Sequence, residues 1–374
     1  MLNVLFIVPS LRRAGAETQV IDLVNSLRDP KINAHLLCFQ NDLSQRDRIS
    51  KSVKFHYVCR RSKYDLSFIN GIAEIIDGEK IDIVHGTQEF SVLVGYLASR
   101  RAKRKPRLIA AIHTTLLRGL KEQVHDRLIY QWIFRQCDAI VFVCQRQADF
   151  WVRRYSFMSK KSRVIHNGIN LERFRADLPL ASAVDYRVQF GVPDDACIIS
   201  CIAGFRPEKG HDLLIDAFRC LDANVHLFLA GDGERRESIV ALVENAGLSD
   251  RVHFLGNVAD VRPLLLVTDI TVLASTAVET FSIAMLESMA MGVPMVAPDI
   301  GGLSEAILHD QTGWIYPAGD VARLASLLEE GVRDRGRLKA MGKRARALVE
   351  QRFSKDVMAD TMTSLLRDVV SHTL

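Results

Sequence analysis

The sequence predicts an α/β protein of two doubly wound parallel-sheet domains, and three observations carry that reading. Short apolar runs alternate with amphipathic segments from end to end, the pattern of parallel strands joined by crossover helices. The alternation stops over 167–195, a polar stretch holding Pro179 and Pro193, and then restarts. A chain of 374 residues is also most simply two domains.

In the first half, the apolar runs at 2–8, 33–38, 53–58, 81–85, 107–112, 138–143 and 163–166 read as strands. Helices are expected between them, near 17–28, 66–78, 89–101, 121–136 and 145–156. In the second half, strands are expected near 197–203, 225–230, 252–255, 269–273 and 293–297. Their helices fall near 209–221, 234–246, 260–267, 282–290 and 302–308. Past Gly313 the pattern turns helical, over 320–330, 335–351 and 354–370. The domains implied are 1–180 and 181–352, with 353–374 as a final helix.

Composition narrows the class. Hydrophobic residues make up 48% of the chain, enough for two cores. No run of ~18 apolar residues occurs, so no spanning helix is expected. Met1–Ser10 is apolar but lacks a basic leading region and a small-residue cleavage site, and reads as a buried first strand. The seven cysteines are odd in number, scattered and without a C-x-x-C pair, as expected of reduced core thiols in a cytoplasmic protein. The net charge of +5 hides an asymmetry: residues 1–180 carry +13 and residues 181–374 carry −8. The densest run is Arg100-Arg-Ala-Lys-Arg-Lys-Pro-Arg107. It reads either as a solvated face or as attraction to an anionic membrane surface. No aromatic-interleaved basic stripe accompanies it, so nucleic acid is not an expected partner.

Two motifs carry the chemistry. Gly204-Phe-Arg-Pro-Glu-Lys-Gly210 ends a strand and starts a helix, placing Arg206 and Lys209 at the turn. A guanidinium grips phosphate oxygens bidentately and an ammonium adds a point charge, so the pair can neutralise a diphosphate. The second is Glu279-Thr-Phe-Ser-Ile-Ala-Met-Leu-Glu287, followed by Met291-Gly-Val-Pro-Met-Val-Ala-Pro298. It sets two carboxylates eight positions apart around a helix start. The N–H groups near Ser282, Ile283 and Ala284 lack intrahelical partners, and the helix dipole there favours an anion. An acid at a helix N-terminus is favourable in any protein. It is the whole 279–298 block beside the two cations that points to a nucleotide diphosphate bearing a sugar.

This pairing resembles the retaining glycosyltransferases of family 4. The resemblance implies the GT-B fold, two Rossmann-like doubly wound domains facing a central cleft. It implies that Arg206 and Lys209 hold the diphosphate, Glu279 the transferred sugar and Glu287 the ribose. Ser10-Leu-Arg-Arg-Ala-Gly-Ala-Glu17 is similar to the family's first glycine turn, with Ala14 where relatives usually have a second glycine. It puts Gly15 near the diphosphate or the sugar. His113, closing 108–113, matches a family histidine near the transferred sugar, and His85 ends the preceding strand on the same rim. Further matches are Asn167-Gly168, Gly231-Asp-Gly233, Gly301-Gly302 and Phe254-Leu-Gly-Asn-Val258. Catalytic roles thus fall to Arg206, Lys209, Glu279 and His113. Donor contacts fall to Gly15, Gly204, Asn257, Val258, Phe281, Ser282, Ile283, Ala284 and Glu287. Thr280 and Ser282 stand where many relatives have Gly or Pro, and Ser282 can offer a hydroxyl as well as its N–H.

No D-x-D triplet, P-loop or zinc spacing occurs, so neither metal nor cofactor is expected. The implied reaction takes a nucleotide sugar, a UDP-sugar by family frequency, to a glycan or lipid-linked acceptor. It fits polysaccharide or lipopolysaccharide synthesis by a cytoplasmic enzyme, peripheral on the membrane. Front-face attack and a short-lived covalent intermediate both remain open. So do a sugar-nucleotide epimerase on the same fold and a non-catalytic sugar-binding protein.

Overall fold

A computed structural model describes residues 1–113, 126–175, 185–277 and 279–371. They form two compact units, Met1–Gly168 with Lys355–Leu374, and Ile169–Ser354.

The first unit runs β1 (Leu2–Val8), α1 (Gly15–Ser26), β2 (Ile32–Cys38), β3 (Lys54–Tyr57), α2 (Phe68–Gly78) and β4 (Ile83–Thr87). It continues through α3 (Glu89–Arg101), β5 (Arg107–Ile112), α4 (Gln131–Gln136), β6 (Ala139–Phe142), α5 (Gln145–Arg154) and β7 (Ser162–Val164). The seven strands are parallel, in the order β3-β2-β1-β4-β5-β6-β7. Both faces are covered, so the strands read as continuous apolar runs and not as alternation. Leu5 and Ile7 point to one core with α2 and α3. Val4, Phe6 and Val8 point to the other, with α1 and the chain's last helix, Lys355–Ser371. That helix buries Met358, Ala359, Met362, Leu365, Leu366 and Val369, one stripe at helical spacing. Each large side chain buried there contributes roughly 1.5–3 kcal/mol.

The second unit runs α6 (Tyr186–Phe190), β8 (Cys197–Ile202), α7 (His211–Phe218), β9 (Val225–Ala230), α8 (Arg236–Asn245), β10 (Val252–Gly256) and α9 (Arg262–Val267). Then come β11 (Ile270–Val272), α10 (Ile283–Ala290), β12 (Met295–Pro298), α11 (Leu303–Ala306), β13 (Gly313–Tyr316), α12 (Val321–Arg333) and α13 (Arg335–Arg352). Its parallel order is β10-β9-β8-β11-β12-β13. In both sheets the order reverses between the first and fourth strands, β1 and β4 in one, β8 and β11 in the other. Ligands of open α/β sheets bind at such switch points, beyond the strand C-termini.

Three expectations need correction. Residues 313–316, just where the pattern was expected to turn helical and no strand was assigned, form β13, which pairs with β12. Gly313 lies so close to that strand that a Cβ would overlap the Met295 carbonyl. The stretch 167–195, expected to be irregular, contains α6, capped by the Asp185 carboxylate, which accepts from the Arg187 and Val188 N–H groups. The Phe190 ring of that helix packs edge-on to Phe228 at 5.5 Å. The helix expected at 121–136 lies partly outside the described residues, and α4 covers only its end. Among the described residues no helix is long and apolar enough to cross a membrane.

Candidate functional site

In the second unit the loops at the switch point are tied together by backbone contacts. After β8 the chain passes Gly204, makes one tight turn over Pro207–Lys209 and enters α7 through Gly210 in the left-handed region (φ 61°). A Cβ on Gly210 would overlap the Ala274 carbonyl after β11, so only glycine permits this approach. The Thr276 N–H donates to the Glu208 carbonyl at 2.9 Å, joining the same two loops. Gly231 and Gly233, after β9, press against the carbonyls of Ala203 and Phe205. Gly231 N–H donates to the Gly256 carbonyl at 2.7 Å, which brings in the loop after β10.

This bracing brings Lys209 and Glu279, seventy positions apart, into a direct ion pair. Both side chains are nearly buried, 13% and 8% exposed. The Ser275 hydroxyl donates to the same carboxylate oxygen, Oε1, at 2.7 Å. From the other side, Gly301 (φ 56°) sits where any Cβ would collide with the Glu279 carbonyl, and Gly302 N–H donates to the Thr280 carbonyl at 2.7 Å. Glu279 is therefore held at backbone and side chain alike. The sequence assigned Lys209 to a phosphate and Glu279 to a sugar; the fold makes them one neutralised pair. Arg206 is different. Its side chain is half exposed, with Nε 3.5 Å from Glu208 Oε1, so its guanidinium can turn to a ligand.

Ser282 caps α10. Its hydroxyl oxygen accepts from the Met285 N–H at 3.3 Å, which caps the helix start and leaves the O–H to donate to a ligand. Ile283 and Ala284 open the first turn, half-buried, with Glu287 in the second. Phe281 departs from the expectation of a ligand contact. Its ring is buried, 5.4 Å from that of Phe353, because an apolar side chain beside a helix start gains more from the core than from solvent. Only its backbone remains for a donor. Val258 packs against the core cluster that holds Phe228 and Leu264, whereas Asn257 is exposed. Gly204 meets no close neighbour that would forbid a side chain.

In the first unit, Gly15 opens α1 without a positive φ and is exposed. The buried residue of that motif is Glu17, 1% exposed, whose Oε1 accepts from Arg12 Nε at 3.0 Å. Sequence reasoning passed over Glu17. The available signal was an acid in the first turn of a helix otherwise facing a core. His113 follows β5, half-buried, and loss of hydration pushes its imidazole down to about 4. His85, expected to end its strand on the rim, lies instead within β4, which runs on to Thr87; it stands in register with Phe6 and is buried against that ring. Burial, with His113 nearby, pushes it down to about 3. Both rings are neutral at pH 7.

Half of the cations in the basic run 100–107 are engaged within the fold. Arg104 pairs with Asp82, and Arg107 with Asp138 at 2.9 Å. Lys105 Nζ donates to the Arg100 and Ala102 carbonyls that end α3. The side chains of Arg100, Arg101 and Lys103 project into solvent. The run lies at the N-terminal edge of β5, at the opposite end of that strand from His113. Among the described residues no three His, Cys, Asp or Glu side chains are grouped to hold a metal.

Residues 13–173 match the family model described as Glycosyltransferase Family 4, and residues 184–348 match that of Glycosyl transferases group 1. The chain is 26% identical over 324 residues to the N-acetyl-alpha-D-glucosaminyl L-malate synthase of Bacillus anthracis, covering 85% of this chain and 83% of that one. It is 30% identical over 237 residues to the lipopolysaccharide core biosynthesis glycosyltransferase LpsE of Rhizobium meliloti, 62% of this chain and 65% of the relative. Among solved structures, Anabaena HepE in complex with UDP-glucose superposes with a TM-score of 0.83 at 22% identity, over 98% of this chain and 100% of that chain. At that identity the likeness establishes the GT-B fold.

Proposed function

The chain belongs to family 4 of the glycosyltransferases, and from that premise we propose a retaining, metal-independent enzyme that moves a sugar from a UDP-sugar to a glycan or lipid-linked acceptor. The observation that carries this reading is the Lys209–Glu279 pair, buried at the switch point of the second unit with the half-exposed guanidinium of Arg206 on the same turn. The UDP-sugar follows the ligand of HepE, and the acceptor class follows LpsE. A cell-surface polysaccharide or glycolipid is the product this implies, made in the cytoplasm at the inner membrane face.

In this mechanism the bond from the sugar's anomeric carbon to the diphosphate oxygen breaks, and its electron pair leaves with the phosphate. Arg206, Lys209 and the opening N–H groups of α10 stabilise that developing charge, the largest electrostatic contribution. Glu279, fixed by Ser275 and Gly301, holds a sugar hydroxyl, and Glu287 the ribose. Of the first unit, His113 serves the transferred sugar and the Gly15 N–H the diphosphate. The acceptor hydroxyl attacks from the same face as the departing phosphate, and its proton passes to a phosphate oxygen. Configuration is retained and no group is oxidised or reduced.

Arg206→Ala should lower turnover by roughly 10²–10³ without loss of fold. A thermal-shift series of nucleoside diphosphates should show UDP raising the melting temperature most, since a ligand of the folded state stabilises it by mass action. Near-normal transfer by Arg206→Ala, or no shift with any diphosphate, would sink the reading. Product formed from donor alone, without acceptor, would indicate an epimerase instead.

A further inference from the structure

At the switch point of the first sheet, β1 leads to α1 on one face and β4 leads to α3 on the other, so the two connections part and leave a crevice at the strand C-termini. Arg12 stands on one rim, four residues past β1. Its Nε donates to Glu17 Oε1 at 3.0 Å; the Arg12 side chain is 60% exposed and that of Glu17 1%. Among the described residues the two terminal nitrogens of Arg12 have no partner, and Arg13 beside it is exposed and unpaired. The backbone there is held as well. Gln45 Nε2 donates to the Arg12 carbonyl at 2.6 Å, the Gln45 N–H to the Leu11 carbonyl at 3.0 Å, and the Leu11 N–H to the Asp42 carbonyl at 2.7 Å. Burying a carboxylate is costly, and Glu17 Oε2 has no hydrogen-bond partner among the described residues. The dipole of α1 offsets part of that cost but does not require a guanidinium beside it. On the other rim, after β4, Gln88 takes a left-handed φ of 68°, fixed by its N–H to the Ala111 carbonyl at 2.9 Å. Backbone strain of this kind in a non-glycine residue gathers at ligand sites.

We propose that this crevice binds an oxyanion carried by the acceptor, a phosphate or a carboxylate, that Arg12 grips it, and that Glu17 is the positioning residue which aims Arg12. A guanidinium tied at Nε still presents Nη1 and Nη2 as a planar fork, the geometry that matches two oxygens of one phosphate or carboxylate. Arg13 adds a second cation free to approach the same group. Because Glu17 is buried and Arg12 largely exposed, the carboxylate orients the guanidinium from behind and leaves its outer edge to the ligand. A lone hydroxyl offers that fork no second oxygen, so an acceptor without the charged group is bound less tightly. The inference rests on the transferase reading above, in which Arg206 and Lys209 hold the donor diphosphate and leave these arginines for the acceptor.

The test follows the Arg12 Nε–H resonance by ¹⁵N NMR of the full chain, with and without saturating UDP, and measures affinities by calorimetry. Glycerol, glycerate and glycerol 3-phosphate form a matched series of probes: neutral, carboxylate and phosphate. Glycerate or glycerol 3-phosphate should shift the resonance saturably with UDP bound, and glycerol should not; the tighter of the two anions identifies the group. Arg12→Lys keeps a charge opposite Glu17, and with it the fold, but loses the fork. Its affinity for the anionic probe should fall on the order of tenfold, with UDP binding unchanged. Glu17→Ala should cost a similar factor, whereas Glu17→Gln, which still accepts from Nε, should restore most of it. In an Arg12→Lys background Glu17→Ala should cost little further. Asp42 supplies a test of sign. The Ser44 N–H and hydroxyl hold its carboxyl below the usual range and the charge of Arg12 adds to this, so Asp42→Asn should tighten anion binding. Equal responses to glycerol and the anions, or an affinity untouched by Arg12→Lys, would overturn the oxyanion site. An anion response abolished by UDP would assign Arg12 to the donor and equally overturn the proposal. Full affinity in a folded Glu17→Ala protein would remove Glu17 from it. If UDP fails to bind while the anions still shift Arg12, the oxyanion site stands and the transferase reading falls.

Discussion

The two units share a strand order but reach their sites by different means. Among the described residues, every glycine with a positive φ lies in the second unit: Gly191, Gly210, Gly231, Gly233, Gly247, Gly256, Gly292, Gly301 and Gly319. The first unit has none, and its positive-φ residues are Lys80 and Gln88. Four of those glycines, Gly210, Gly231, Gly233 and Gly301, press directly on carbonyls of neighbouring loops around Lys209 and Glu279. The second unit thus sets its site by backbone contact, which suits a ligand gripped in one pose. The first unit instead places His113 just past β5 and His85 buried within β4, with no glycine of positive φ among its described residues. A second feature is shared. Each sheet carries a stacked histidine pair near its edge, His35 with His56 (Nδ1 to Nε2 3.1 Å) and His226 with His253 (3.0 Å). In both, the outer-strand histidine stands opposite the residue two beyond its partner, Leu37 in one sheet and Phe228 in the other.

The sharpest test of the second unit is its ion pair. Lys209→Met leaves the Glu279 carboxylate buried without its partner and should destabilise by roughly 3–5 kcal/mol, besides abolishing transfer. Adding Glu279→Gln should restore most of that stability and none of the activity, measured by urea unfolding and by transfer assay. A double variant no more stable than the single one would show that the pair does not organise this site.

Glycines separate the units next. Gly301→Ala must place a methyl group into the Glu279 carbonyl and adopt a left-handed φ, and should destabilise by about 3 kcal/mol or more. Gly78→Ala, at the end of α2 with nothing within 4 Å, should stabilise by about 0.5 kcal/mol through a less free unfolded chain. Equal effects would erase the contrast between the two units.

The histidine pairs make a pH prediction common to both units. Burial lowers His35 and His253 to about 4, and lowers His56 and His226 as well, from an ordinary 6.5. A depressed histidine is neutral when folded but takes up a proton on unfolding, so stability is full above pH 6.5 and is lost as pH falls toward 4. Each such group adds up to about 1.4 kcal/mol per pH unit in that window. His85, His113 and His211 share the direction, so the pairs are isolated by substitution. His253→Phe should flatten the stability slope between pH 6.5 and 4, and His56→Phe should flatten it less, because burial and the neighbouring His226 both lower His253 whereas Glu79 partly offsets burial at His56. An unchanged slope in both would show the pairs to be inert.

The smallest effect concerns charge, +13 in residues 1–180 against −8 in the remainder. With Arg104, Lys105 and Arg107 engaged within the fold, only part of the basic run is available to a membrane. Changing Arg100, Arg101 and Lys103 to Gln should reduce cosedimentation with anionic liposomes a few-fold, most at low salt where screening is weak. Binding unaffected by these changes and by salt would leave the run a solvated face.

Much of this molecule was legible in its sequence because helices and buried strands write local periodicities. β1, β5, β9 and α3 fall within a residue or so of where the apolar runs place them. The turn after β8 and the helix start at Ser282 were equally local, and with them the residues of the candidate site. What only the tertiary structure decided depends on partners distant in the chain. β13 becomes a strand by lying beside β12, and Phe281 turns inward because Phe353 awaits it there. Two cations of the basic run, Arg104 and Arg107, are taken up by Asp82 and Asp138, which the crossover connections bring alongside. Lys209 meets Glu279 because the sheet order sets β8 beside β11, and glycines let their loops touch. Periodicity records which face of an element is buried; it carries no information about which side chain will be found there.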